Sequence, residues 1–140
     1  MICRFCDFES KEPQLILATR AHTLVVLSNP RLMFGHLLVI PRRHVISLAE
    51  LNEEERREIF DTAIEYQEKI MRNIAPGCDI RQHNRPFLPE SDLKVDHIHL
   101  HLQPRSFDDE LYMKSEIHSR ELFKSPTHEE MDTFRNLLKA

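Results

Sequence analysis

The sharpest pattern in the chain is the alternation from residue 95 to 103, where Ile98, Leu100 and Leu102 alternate with His97, His99 and His101. Successive side chains of a strand point to opposite faces, so a period of two predicts a strand with an apolar core face and a histidine face. A different period governs the middle of the chain. Between 53 and 74, Ile59, Phe60, Ala63, Ile64, Ile70, Met71 and Ile74 recur at helical spacing and predict an amphipathic helix. Asn52 stands where an N-cap belongs, with Glu55 three residues on. Glu53 and Glu54 suit the positive end of the helix dipole, and Pro76-Gly77 stops the run.

Shorter runs complete the pattern. Residues 14–19 and 23–27 are brief apolar stretches with β-branched members, separated by polar Arg20 and His22, and predict a hairpin-like pair of strands. Asn29-Pro30-Arg31 then breaks the second run as a turn would. His36-Leu37-Leu38-Val39-Ile40 reads as a buried strand closed by Pro41. Residues 78–82 read as a further strand, followed by an irregular stretch, 84–92, that holds two prolines. From 107 onward the chain is charged and less patterned. Residues 127–138 still place Met131, Phe134, Leu137 and Leu138 at helical spacing. No repeat, low-complexity tract or linker interrupts the chain, so residues 1–140 are expected to form one domain. Its class is α+β, with a mostly antiparallel sheet.

Composition narrows the function classes. At 140 residues, with 41% apolar and 30% charged side chains, the chain is of globular type and long enough to bury a core. It holds no apolar run of membrane-spanning length, and its first residues lack the features of a signal peptide, so the expected location is the cytoplasm. A formal net charge of −4 argues against broad binding to nucleic acid, which needs a basic face, but leaves room for a small phosphate site. Three cysteines are too few and odd in number for a disulfide framework. Nine histidines is a high count, and six of them fall between His36 and His101.

Same-face neighbours on a strand stand roughly 6.5–7 Å apart, so adjacent rings of the histidine face can share one substrate or one metal. A merely solvated face is filled more cheaply by Lys, Glu or Thr. A catalytic metal would want a completing carboxylate, and Asp96 falls on the opposite face. Cys3-x-x-Cys6 has the spacing of a metal knuckle. Two thiolates need two further ligands for a closed tetrahedral site, and a pair of reduced, unliganded thiols is the alternative. Cys78, alone in a strand, is most simply a small core residue.

The run His97-x-His99-x-His101 resembles the signature of the histidine triad (HIT) superfamily of nucleotide hydrolases and transferases. The segment Gly35-His36-Leu37-Leu38-Val39-Ile40-Pro41-Arg42-Arg43-His44 is similar to the strand that precedes that signature in the family. The resemblance covers roughly residues 3–105 and leaves 106–140 as a C-terminal extension. It implies a HIT-like fold: a mostly antiparallel five-stranded sheet, one long helix and a helical tail. It also implies that His99 attacks an α-phosphate to form a covalent nucleotidyl-histidine, with His101 bonded to the phosphate, His36 beside it and His97 completing the triad. Asn84 resembles a phosphate-contacting position. Ser28, with Asn29 next to it, stands where an Asp or Asn often binds ribose. Ser91-Asp92-Leu93-Lys94 replaces the usual Gly-Gln-Ser/Thr-type stretch, so that Lys94 offers a cation where Leu93 offers no amide.

The same resemblance implies one structural zinc held by Cys3, Cys6, His44 and His97, and no organic cofactor. It implies a homodimer acting on a purine nucleotide or nucleotide conjugate. Candidate reactions are hydrolysis of nucleoside phosphoramidates or dinucleoside polyphosphates, nucleotidyl transfer or phosphorolysis, and nucleotide binding without turnover.

Overall fold

The computed structural model describes residues 3–139. In chain order the first elements are α1 (Phe8–Lys11), β1 (Ile16–Thr19), β2 (Thr23–Leu27), β3 (Leu37–Pro41), α2 (Glu53–Asn73), β4 (Gly77–Arg81) and β5 (Leu100–Arg105). The strands form one sheet in the order β1-β2-β3-β5-β4, and every neighbouring pair is antiparallel. This is the α+β architecture expected from the chain pattern.

Both faces of the sheet centre are covered, which is why β2 and β3 read as continuous apolar runs rather than alternations. Val25, Leu37, Val39, Leu100 and Leu102 form one core cluster with Ile59, Ala63 and Ile70 of α2. Leu24, Val26, Leu38 and Ile40 lie on the other face with Phe5 and Phe8 from the N-terminal segment. The histidines share that second face, because His101 is the register partner of Leu38.

Helix α2 begins as its sequence dictates. Asn52 Oδ1 accepts from the Glu55 amide at 2.9 Å, and Glu55 Oε1 accepts from the Asn52 amide at 3.0 Å. Glu55 is also buried against Arg43, whose guanidinium donates to both carboxylate oxygens at 2.8 and 3.0 Å. The helix start thereby holds the segment that carries His44.

Several boundaries differ from the sequence expectation: residues 14 and 15 belong to a 3-10 turn (Pro13–Leu15) ahead of β1, His36 precedes β3, and β4 spans Gly77–Arg81 rather than 78–82. The last strand begins at Leu100 rather than at 95, since residues 97 and 98 find other partners. The Ile98 amide donates to the Val45 carbonyl, and the His97 ring reaches the Pro41 carbonyl. The same strand runs on to Arg105 through Pro104, which lies beyond the last residue paired with β3. There β5 has β4 on one side only, the setting in which a strand proline is tolerated. Pro41 is the last residue of β3 instead of the first outside it.

The chain divides after Asp109 into two compact units. The second contains α3 (Glu110–Lys114), a 3-10 stretch over Glu116–Leu122 and α4 (His128–Leu138). Thr127 and Glu130 cap α4 reciprocally, each bond 3.1 Å long. Met131, Phe134, Leu137 and Leu138 of α4 are exposed. No described helix is long and apolar enough to cross a membrane.

Candidate active site

Gly35 delivers the chain into the site. Its φ of 82° lies in the left-handed region, and a Cβ there would stand 3.1 Å from Pro104 Cγ and 3.2 Å from Ile74 Cγ2. Only glycine meets both demands without strain. The next residue, His36, is buried, and its Nδ1 accepts from the Leu32 amide at 3.0 Å. A backbone N–H only donates, so the neutral ring carries its proton on Nε2. That Nε2 lies 2.9 Å from His101 Nδ1, which must accept. His101 therefore keeps its own proton on Nε2.

The same argument assigns the other two rings of the triad. His99 Nδ1 lies 2.8 Å from the His97 carbonyl, which only accepts, so Nδ1 is protonated and Nε2 keeps a free lone pair. His97 Nε2 lies 2.7 Å from the Pro41 carbonyl, which leaves Nδ1 as its free nitrogen. Burial favours the neutral forms. It lowers His101 to about 3 and His36 to about 4, with the neighbouring His99 adding to both shifts. Burial lowers His99 as well.

A cleft of about 200 Å³ opens in front of His36, His99 and His101. Phe5, Phe8, Leu38 and Val95 give it an apolar wall, and Ser28, Asn29 and Arg31 line its polar edge. Phe5 meets the His99 ring edge-on with centroids 5.0 Å apart. The cleft thus pairs a surface suited to a flat apolar group with a neutral imidazole that has a free lone pair and an imidazole N–H donor, a set that can serve attack on a phosphoryl centre.

His97 is turned to a different cluster. Its Nδ1 stands 3.4 Å from Cys3 Sγ, 3.5 Å from Cys6 Sγ and 3.2 Å from His44 Nδ1, while Cys6 Sγ is 3.4 Å from His44 Nδ1. All four ligand atoms lie within 4.8 Å of one another. A tetrahedral ion with bonds of about 2.0–2.3 Å separates its ligands by about 3.3–3.8 Å, so this S₂N₂ set has the spacing of a metal site. The bond from His97 Nε2 to Pro41 orients the ring for that role.

A model of the HIT domain matches residues 9–108. The chain belongs to the HIT-domain family. Among its relatives, the adenosine 5′-monophosphoramidase hnt1 of Schizosaccharomyces pombe is 30% identical over 107 residues, covering 75% of each chain. The nitrilase and fragile histidine triad fusion protein NitFhit of Caenorhabditis elegans is 26% identical over 96% of this chain, which spans 32% of that relative's length. Among solved structures, a HIT family protein from Bacillus anthracis superposes with a TM-score of 0.70 at 24% identity, covering 98% of this chain and 97% of its own. A Zn-bound histidine triad family protein from Mycobacterium smegmatis superposes with a TM-score of 0.66 at 25% identity over 78% of each chain.

The HIT fold gathers most of the residues singled out in the sequence, though not into one site. His36, His99 and His101 meet at the cleft, and Ser28 and Asn29 line it. Ser28 Oγ donates to the Pro30 carbonyl at 2.9 Å. Cys3, Cys6, His44 and His97 form the second cluster. Asp92, Leu93 and Val95 line the cleft but Lys94 between them does not: its ammonium pairs with Asp96 at 2.8 Å and donates to the Leu88 carbonyl. Asn84 and its neighbour His83 are both exposed in the segment after β4, and the His83 ring touches the triad, with its centroid 5.1 Å from that of His101. Sequence reasoning passed over His83, Phe5 and Arg31. None belongs to a periodic pattern. The only signal for His83 was its place among the six clustered histidines.

Proposed function

We propose that this HIT protein hydrolyses nucleotide conjugates at the α-phosphate, taking nucleoside phosphoramidates or dinucleoside polyphosphates, through a nucleotidyl-His99 intermediate. The observation that carries the proposal is the hydrogen bond from His99 Nδ1–H to the His97 carbonyl, which leaves Nε2 bare at the cleft. Nε2 bonds to phosphorus as the bond to the leaving group breaks. Water then displaces His99 and releases the nucleoside monophosphate. His101 Nε2–H donates to a phosphoryl oxygen, a contribution of about 10²–10³ in rate for a pre-aimed donor of this kind. The Leu32 amide and His36 hold that donor in its tautomer. The phosphoramidase activity named for the fission yeast relative supports this substrate class.

In the same proposal Cys3, Cys6, His44 and His97 hold a zinc ion. Two thiolates and two imidazoles match its preference, and four protein ligands leave no open position, so its role is structural. Ligand thiols must stay reduced, which agrees with a cytoplasmic location. The chain acts as a single HIT-like domain with its core over 3–105 and an extension over 106–140. It works as a homodimer built on the free edge of β4 and the exposed Phe60, Ile64 and Met71 of α2. A monomeric mass in analytical ultracentrifugation would remove the dimer.

The test is AMP release from adenosine 5′-phosphoramidate and diadenosine tetraphosphate by wild type and His99→Ala, with and without phosphate. Release by wild type and a loss of about 10³-fold or more in the variant are expected. Equal release by both would sink the nucleophile. ADP formed only when phosphate is present would make the protein a phosphorylase.

A further inference from the structure

The hydrolysis proposed above needs a proton at the leaving atom, since an amine expelled from an α-phosphate is too basic to depart as an anion. The triad does not supply it. In the proposed reaction His99 is spent as the nucleophile, and the one proton left outward by the His36–His101 pair, on His101 Nε2, is given to a phosphoryl oxygen. Lys94, the cation expected just before the triad, is engaged by Asp96 and the Leu88 carbonyl, and Leu93 beside it has no donor side chain.

One more ring stands at the cluster. β5 lies between β3 and β4, and His101 is the register partner of Leu38 on one side and of Arg81 on the other. His36 precedes β3 and His83 follows β4, so the two flank His101, with ring centroids 5.2 and 5.1 Å away. The cleft takes in His36 and the loop before it, with Asp92, Leu93 and Val95 on its rim, but neither His83 nor any residue of β4. A nucleoside seated in that cleft leaves the opposite side, where His83 stands, for the group that departs.

We infer that His83 is the general acid that protonates the leaving group, an inference that rests on the function proposed above. In the first step the His99 Nε2–P bond forms while the P–N bond breaks. The amine leaves with the bonding pair and takes the proton of the His83 imidazolium, and His83 becomes neutral. In the second step water attacks phosphorus, the His99–P bond breaks and the proton from water returns to His83. One water is consumed, and AMP and the amine are released. Partial burial and the nearby Arg85 and Arg81 hold His83 below its ordinary range, which makes its protonated form a stronger acid. A bound anionic nucleotide favours that form by opposing those charges.

The experiment compares two AMP derivatives on the whole protein: an alkyl phosphoramidate, whose amine must be protonated, and the p-nitrophenyl ester, whose phenolate needs no proton. Binding of AMP is measured by calorimetry alongside. For His83→Ala we expect the ratio of kcat on the amidate to kcat on the ester to fall by about 10²–10⁴-fold, the usual contribution of a positioned acid. AMP affinity should stay within a few-fold of wild type. A variant that loses the two activities equally, or neither, overturns the role of His83 while leaving His99 chemistry intact. Wild type that binds AMP but releases it from neither derivative would overturn the proposed function itself, and this inference with it.

Discussion

His36 Nε2 stands 2.9 Å from His101 Nδ1, and the Leu32 amide on the far nitrogen of His36 decides which ring donates. The loop between β2 and β3 thereby controls the proton on a ring of β5. The arrangement needs both rings neutral, and it is the source of the pH dependence expected for this protein.

His36 is held at about 4 and His101 at about 3, against 6.5 for an unperturbed histidine, chiefly by burial. Between about pH 6.5 and 4 the unfolded chain binds protons at these positions that the folded chain does not, so stability rises with pH in that window. It is fully present above about 6.5 and is lost as pH falls through about 4 and then 3. Urea midpoints from pH 7.5 to 4 should decline, and less so in His36→Asn. Parallel wild-type and variant curves would refute the assignment.

Gly35→Ala should destabilise the fold by about 1–3 kcal/mol. The left-handed φ alone costs an L-residue about 1–2 kcal/mol, and the new methyl would stand 3.1 Å from Pro104 Cγ. Activity should fall as well, because His36 follows directly. The check is a denaturant midpoint and a turnover assay on the same preparation. An unchanged midpoint would show that the turn yields without cost.

Metal analysis of the purified protein should find one zinc per chain. A strong chelator, or Cys3→Ser, should lower the melting temperature by on the order of 10 °C, since binding energy at such a cluster is folding energy. Cys78→Ser should leave the metal content unchanged, because Cys78 packs against the core cluster away from the four ligands. Full zinc content in Cys3→Ser would remove that residue from the ligand set.

Much of this was legible along the chain because side-chain periodicity belongs to the local backbone. The alternation around His97, His99 and His101 already separates a core face from a histidine face. Asn52 with Glu55, followed by the helical spacing of Ile59, Ala63 and Ile70, determines where α2 begins and which side it buries. The cysteine spacing announced a metal knuckle, and resemblance supplied its two histidines. What no local pattern carries is the partner of each polar atom. The bond from His97 to Pro41 joins residues 56 apart, and that from His36 to His101 joins residues 65 apart. Both depend on strand register and on the loop that caps His36. Only the folded sheet therefore decided which nitrogen of each histidine is free, that Lys94 is consumed by Asp96, and that His83 rather than Asn84 reaches the triad. A hydrogen bond needs its atoms within about 3 Å, and between distant segments tertiary packing alone sets that distance.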